Sequence, residues 1–146
     1  SISTQMNLIS ETLFKQKVQN RETNFLTLYK MVKLKLKKRS LLILYTNFDS
    51  LISLQNQMKY LKAISKNHLL CTVIFDNTEV NKIADEKTQG TKNLYDQTMA
   101  EKLQHDKKRI IKELNKNGIY SILTEPQDLT LNTINKYIEL KARGLL

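Results

Sequence analysis

The chain has 146 residues, of which 40% are hydrophobic, and 24 Lys and Arg against 14 Asp and Glu give it a net charge of +10. This composition argues against a disordered chain and predicts one globular domain with a core of its own. No apolar run approaches the roughly 20 residues of a membrane span. The one cysteine, Cys71, lies in the apolar run 69–75, which predicts a buried, reduced thiol in a reducing compartment.

Two helical patterns open the chain. Apolar residues recur at helical spacing first at Ile2, Met6, Ile9 and Leu13, and then at Phe25, Leu28, Tyr29, Val32 and Leu36. The end of the second helix stays open, because the alternation of Lys and Leu over residues 33–37 also fits a short strand.

Three apolar runs, at residues 40–46, 69–75 and 119–123, predict strands, and helical patterns separate and follow them. The first run is apolar at successive positions, which is typical of a central strand covered on both faces. The helices are predicted from Asp49 or Ser50 to about residue 65, from 76–78 to about 86, from about 91 to 117, and from 126 to about 143. The last two carry the apolar stripes Tyr95, Met99, Leu103, Ile110 and Leu114, and Leu131, Ile134 and Ile138.

Strands that alternate with helices predict right-handed βαβ units and a parallel sheet with helices on both faces. We therefore expect a three-layer α/β/α fold in a single domain, residues 1–146. Three strands are few for so much helix, and the chain begins with Ser1 rather than with Met. We expect further strands upstream of Ser1, so that this chain exposes a sheet edge or forms a homo-oligomer along it.

Three acidic residues follow the predicted strands, since Asp49 comes after the first, Asp76 after the second and Glu125 after the third. Strand ends of a parallel sheet share one edge, where ligands of open α/β sheets bind. Carboxylates on neighbouring strands can share a Mg²⁺ or Ca²⁺ ion. The favoured interpretation needs no metal: Asp49 and Asp76 are helix caps, and Glu125 lies in a proline turn.

Other candidates for chemistry are weak. Glu101 and His105 lie one helical turn apart, but on a lysine-rich helix a solvated pair is favoured over an acid and base. His68 has no sequence partner, which predicts a hydrogen bond in a loop or at a strand edge. The sequence contains no P-loop, zinc-protease, paired Cys-x-x-Cys or Gly-x-Ser-x-Gly motif. We therefore expect a protein that is not an enzyme.

Positive charge is concentrated over residues 23–48, which hold six bases and no acid: Lys30, Lys33, Lys35, Lys37, Lys38 and Arg39. Such a patch can attract phosphate backbones or anionic lipid headgroups. No array of stacking aromatic residues and no recognition-helix pattern accompanies it. A solvated helix face is therefore the favoured interpretation, and a nucleic-acid site is the alternative.

Four blocks, taken in order, resemble the carboxyl-terminal part of the bacterial domain of unknown function 58 family. They are residues 39–48 (RSLLILYTNF), 68–70 (HLL), 94–95 (LY) with 100–102 (AEK), and 135–144 (NKYIELKARG), and the last is the most specific. The resemblance implies that the chain is the second half of a von Willebrand factor A-like domain. It also implies upstream membrane helices, a location at the cytoplasmic face of the bacterial inner membrane, and a MoxR-type AAA+ ATPase as partner. No enzymatic activity is established for the family.

In von Willebrand factor A-like domains, a metal site combines an Asp-x-Ser-x-Ser loop, a Thr and an Asp that follows the strand resembling residues 41–46. Here the Asp position falls on Asn47, Thr23 is the candidate for the Thr, and the first loop would lie upstream of Ser1. Thr46, Asn47 and Asp49 are therefore the metal candidates. We expect no cofactor in this chain, and Mg²⁺ or another divalent cation in the full-length protein is the alternative.

The sequence thus predicts a protein-interaction module whose binding edge includes Thr46, Asn47, Asp49, Asp76 and Glu125. The partner is expected to be a MoxR-type AAA+ ATPase or its client complex. One alternative is a basic nucleic-acid-binding domain that uses residues 30–39. A second alternative is a Mg²⁺-dependent phosphotransfer or hydrolase site built from Asp49, Asp76 and Glu125.

Overall fold

The computed structural model describes residues 24–85 and 91–146. The helical pattern of residues 2–13 and Thr23, the candidate metal ligand, lie outside the described residues. The helices are α1 (Phe25–Lys35), α2 (Leu51–Ser65), α3 (Thr78–Asp85), α4 (Thr91–Lys116) and α5 (Leu129–Ala142), and a 3-10 turn (Pro126–Asp128) precedes α5. The strands are β1 (Leu41–Tyr45), β2 (Leu69–Phe75) and β3 (Tyr120–Thr124). Within these residues, no helix combines the length and apolar character that crossing a bilayer needs.

The three strands form one parallel sheet in the order β1-β2-β3. Leu41 lies opposite Leu69, and Cys71 lies opposite Tyr120. The predicted α/β class with a parallel sheet is therefore confirmed. The central strand is β2, in which six of seven residues are buried.

The prediction that β1 is a central strand covered on both faces is wrong for the described part of the chain. Leu42 and Leu44 pack against the core, but Ile43 and Tyr45 are 37% and 51% exposed on the other face. A run of apolar residues shows that both faces are suited to burial. It does not show which strand of the sheet has neighbours on both sides.

The edge of β1 that faces away from β2, here called its open edge, pairs with no other strand in residues 24–85 and 91–146. Thr46 N donates to Val73 O at 3.1 Å, and Leu69 N donates to Ser40 O at 2.9 Å, so the even-numbered residues of this segment bond to β2. In a parallel ladder, alternate residues direct their N–H and C=O groups to opposite sides. Those of Leu41, Ile43 and Tyr45 therefore point away from β2, toward the open edge.

Helices cover both faces of the sheet, which gives three layers. On one face, α1, α2 and α4 enclose the main core, and the rings of Phe25 and Phe48 stack with centroids 5.7 Å apart. On the other face, Leu129 at the start of α5 packs on Cys71, Val73 and Ile122. The apolar side chains of β2 therefore lie between two layers of helix.

The helix stripes are buried only in part. On α4, Ile110 and Leu114 are fully buried as predicted. The remaining predicted stripe residues are exposed: Tyr95, Met99 and Leu103 on α4, and Leu131, Ile134 and Ile138 on α5. Helical spacing places residues on one side of a helix, but only a neighbouring element can bury that side.

Candidate binding site at the sheet edge

A pocket of about 530 Å³ lies at the carboxyl ends of β1 and β2. Residues from the two strand ends, from α3 and α4 and from the proline turn line it: Asn47, Phe48, Asp49, Phe75, Asp76, Asn77, Asn81, Leu103, Gln104, Asp106, Lys107, Ile110 and Pro126. This is the edge at which open parallel sheets bind ligands. The structure therefore brings the predicted site residues Asn47, Asp49 and Asp76 to one concave surface.

The carboxylates of Asp49 and Asp76 are not helix caps, and this predicted role is wrong. Ser50 caps α2, because its Oγ accepts from Ser53 N at 3.1 Å. Asn77 caps α3, because its Oδ1 accepts from Glu79 N at 3.0 Å. The residue after each aspartate therefore satisfies the helix terminus, and neither aspartate carboxylate is used as a cap.

The capping assignment predicts opposite results for two neighbouring residues. Ser50→Ala is expected to lower the free energy of unfolding by about 1 kcal/mol, because the Ser53 N–H loses its acceptor. Asp49→Ala is expected to change it by less than about 0.5 kcal/mol, since Asp49 is exposed. Urea unfolding of both variants measures the difference. A larger loss in Asp49→Ala would contradict the assignment.

A chain of hydrogen bonds fixes the floor of the pocket. Gln104 Nε2 donates to Asn81 Oδ1 at 2.8 Å, and Asn81 Nδ2 donates to Asp76 Oδ2 at 3.0 Å. Asp76 N also donates to Thr124 O at 2.8 Å. These bonds join α4, α3 and the ends of β2 and β3, so they hold Asp76 in place.

Lys107 is the basic residue among those that line the pocket, and its ammonium group forms a hydrogen bond to the backbone. Its Nζ donates to the carbonyl oxygen of Phe75, the last residue of β2. Asp106 also lines the pocket and lies 4.0 Å from Arg109. Sequence reasoning missed Asn81, Gln104 and Asp106, because their part in the site depends on how α3 and α4 pack, for which the sequence gives no local signal.

Two residues of the predicted binding edge lie outside the pocket. Glu125 is in the proline turn as predicted, and its Oε2 accepts from Gln127 Nε2 at 2.6 Å. Thr46 follows β1, and its backbone N–H donates to Val73 O. In the described part of the chain, no three or more His, Cys, Asp or Glu side chains are grouped so that they can hold a metal ion.

The histidines and the basic patch lie elsewhere. Glu101 and His105 are exposed on α4 and form no ion pair within residues 24–85 and 91–146, which fits a solvated pair. His68 is buried, and its backbone N–H donates to Ile64 O at 3.1 Å. The ring nitrogen Nδ1 of His68 has no hydrogen-bond partner among these residues. All six bases of the patch are exposed on α1 and the segment after it: Lys30, Lys33, Lys35, Lys37, Lys38 and Arg39.

The fold and the site define an α/β domain with a three-stranded parallel sheet and a pocket at the carboxyl ends of its strands. Comparison of the chain with protein-family models, with curated proteins and with solved structures gives no match. The likeness to the domain of unknown function 58 family therefore rests on the sequence blocks alone.

Proposed function

We propose that this chain is a non-enzymatic protein-interaction module and the carboxyl-terminal half of a von Willebrand factor A-like domain. It acts with a MoxR-type AAA+ ATPase in the assembly or activation of other protein complexes. The observation that carries the proposal is the pocket at the carboxyl edge, where Asp49 and Asp76 are free of the capping role. Such an edge is where this class of sheet presents its binding residues.

The composition of the pocket suits a protein partner. Phe48, Leu103 and Ile110 give it an apolar part, and carboxylates and amides from both strand ends surround them. Protein interfaces commonly combine an apolar centre with a polar rim. A partner segment can therefore place an apolar side chain in the pocket and hydrogen-bond to its margin.

The open edge of β1 supports the von Willebrand factor A-like part of the proposal. The N–H and C=O groups of Leu41, Ile43 and Tyr45 point to that edge, and the side chains of Ile43 and Tyr45 are exposed. An unblocked apolar edge strand is suited to pairing with another strand. In the proposed domain, a strand of the amino-terminal half takes this place.

The test is binding of the full-length protein to the purified MoxR-type AAA+ ATPase of the same organism, measured by biolayer interferometry with and without nucleotide. We expect binding that Asp49→Lys weakens about tenfold, as expected for a residue inside the interface. The matched control is Glu101→Lys, because Glu101 is an exposed acid outside the pocket. Absence of ATPase binding, or an equal loss in the control, would contradict the proposal.

A second candidate function is nucleic-acid binding by the basic patch. Its six bases are exposed, and none pairs with an acid within the described ranges. Binding to duplex DNA should weaken steeply with added salt, because each neutralised phosphate releases counterions. An electrophoretic mobility shift assay compares DNA binding of the wild-type protein with that of the Lys35→Ala/Lys37→Ala/Lys38→Ala variant. If the wild-type protein gives no shift at low salt, the candidate function is contradicted.

A further inference from the structure

Helix α4 is longer than the sheet it packs on. It has 26 residues, which span roughly 39 Å at 1.5 Å per residue, whereas strands of five to seven residues span roughly 17 to 24 Å. Because β2 and β3 are parallel, α4 returns from the carboxyl edge of the sheet to its amino edge. The hydrogen bond from Lys107 to Phe75 marks the level of that carboxyl edge. Residues 91–106 therefore project beyond the sheet.

The projecting part of α4 carries an apolar stripe. Tyr95, Met99 and Leu103 follow one another at intervals of four residues and are 67%, 40% and 43% exposed. They continue the side of the helix that Ile110 buries in the core. Helix α3 does not cover this stripe, because it packs on another side of α4, where Ala84 and Ala100 are buried and Gln104 bonds to Asn81.

The stripe and the pocket form one surface, here called the overhang groove. Its residues are Tyr95, Met99, Leu103, Asp49, Asp76 and Asp106, and Leu103 belongs to both parts. One wall is therefore apolar, and the base carries three carboxylates. Lys107 is the cation at the bottom of the groove, and its Nζ donates a hydrogen bond to the Phe75 carbonyl oxygen. Since Asp106 lies 4.0 Å from Arg109, Asp49 and Asp76 are the carboxylates of the groove that form no ion pair among the described residues, in a chain whose net charge is +10.

We propose that the overhang groove binds a basic amphipathic helix of a partner protein. Its apolar side chains pack along Met99 and Leu103, and its Lys or Arg side chains reach Asp49 and Asp76. Charge complementarity selects this occupant, because an acidic helix would meet the carboxylates of Asp49 and Asp76, which form no ion pair among the described residues. Helix-in-groove binding uses apolar anchors at the same spacing as this stripe. The inference rests on the proposed function, since it names the partner segment that the carboxyl edge takes.

The test uses the protein with two fluorescently labelled helical peptides of about 15 residues, a length matched to the projecting part of α4. One peptide has Leu at the helical spacing i, i+3, i+4 and i+7 and Lys at the positions on its other side, and the second peptide has Glu at every Lys position. Fluorescence anisotropy is expected to show binding of the Lys peptide and none of the Glu peptide, although the net charge of the protein favours the Glu peptide. Binding of neither peptide, or tighter binding of the Glu peptide, overturns the proposal.

Two pairs of variants locate the binding of the Lys peptide. Met99→Lys and Asp49→Lys are expected to weaken it about tenfold, because each places a positive charge in the groove. Their controls are Leu94→Lys and Glu101→Lys, which change exposed residues on the opposite side of the same projecting helix. Equal losses in the controls, or no loss in the groove variants, overturn the proposal.

The outcome separates the two proposals. An ATPase that binds the wild-type protein and the Met99→Lys variant equally, together with no binding of the Lys peptide, overturns the groove alone. Groove-specific binding of the Lys peptide without any binding of the ATPase contradicts the proposed partner and supports the groove.

Discussion

Leu114→Ala is expected to lower the free energy of unfolding by about 3 kcal/mol, whereas Met99→Ala is expected to change it by less than about 0.5 kcal/mol. Both residues belong to the stripe that the sequence predicts as the buried side of one helix. Leu114 is fully buried in the main core, so removing its side chain leaves a cavity. Met99 is 40% exposed on the projecting part of α4, where truncation of its side chain leaves no cavity.

Urea unfolding, monitored by circular dichroism at one temperature, compares the two variants with the wild-type protein. The m-value should stay the same in all three, because the surface exposed on unfolding changes little. Similar losses in Leu114→Ala and Met99→Ala would show that the projecting half of α4 is packed as tightly as its other half. That result would also remove the overhang groove as a binding surface.

The stability of the protein is expected to fall between about pH 9 and pH 11 because of Cys71, by up to about 2 to 3 kcal/mol. Burial in the strand β2 raises the pKa of this thiol from 9.0 to about 11, and the positive charge of Lys136 opposes the rise. The unfolded chain therefore loses the thiol proton at a lower pH than the folded protein. Since the folded state then binds more protons, stability is fully present below pH 9 and decreases above it.

The matched variant is Cys71→Val, which keeps an apolar side chain of similar size between the two layers of helix. All other residues are the same in both proteins, so the difference between them isolates the thiol. Urea unfolding at about pH 8 and about pH 10.5 measures it. The wild-type protein should lose more stability than Cys71→Val over this interval. Equal losses would contradict a buried thiol with a raised pKa.

Local sequence patterns were sufficient to predict the strands and helices around the site. The strand predicted at residues 69–75 matches β2 in full, and the long helix predicted to end at residue 117 ends at Lys116, two residues before Gly118, whose φ is 75°. Both predictions rest on interactions within a few residues, such as the tolerance of glycine for a left-handed conformation. The position of Asp49 and Asp76 at one edge followed from the order of strands and helices.

The chemistry of the site was harder to predict. Asp76 is fixed by Asn81, which is held in turn by Gln104 from a helix 23 residues away in sequence. The capping role fell to Ser50 and Asn77 rather than to the aspartates before them. Aspartate, asparagine and serine all favour the cap position, so propensity does not choose between neighbours.

The sequence by itself determined the order of the described strands and α-helices and the edge of the sheet where polar residues gather, but not the end of α1 or the 3-10 turn before α5. It did so because strand and helix periodicity, caps and glycine terminators act over short stretches of chain. Only the tertiary structure decided that β1 lies at an edge of the sheet that the described residues form, and that α4 is buried at Leu114 and exposed at Met99. Periodicity fixes which side of an element is apolar, whereas burial depends on how far the neighbouring elements extend, and α4 reaches past the end of the sheet.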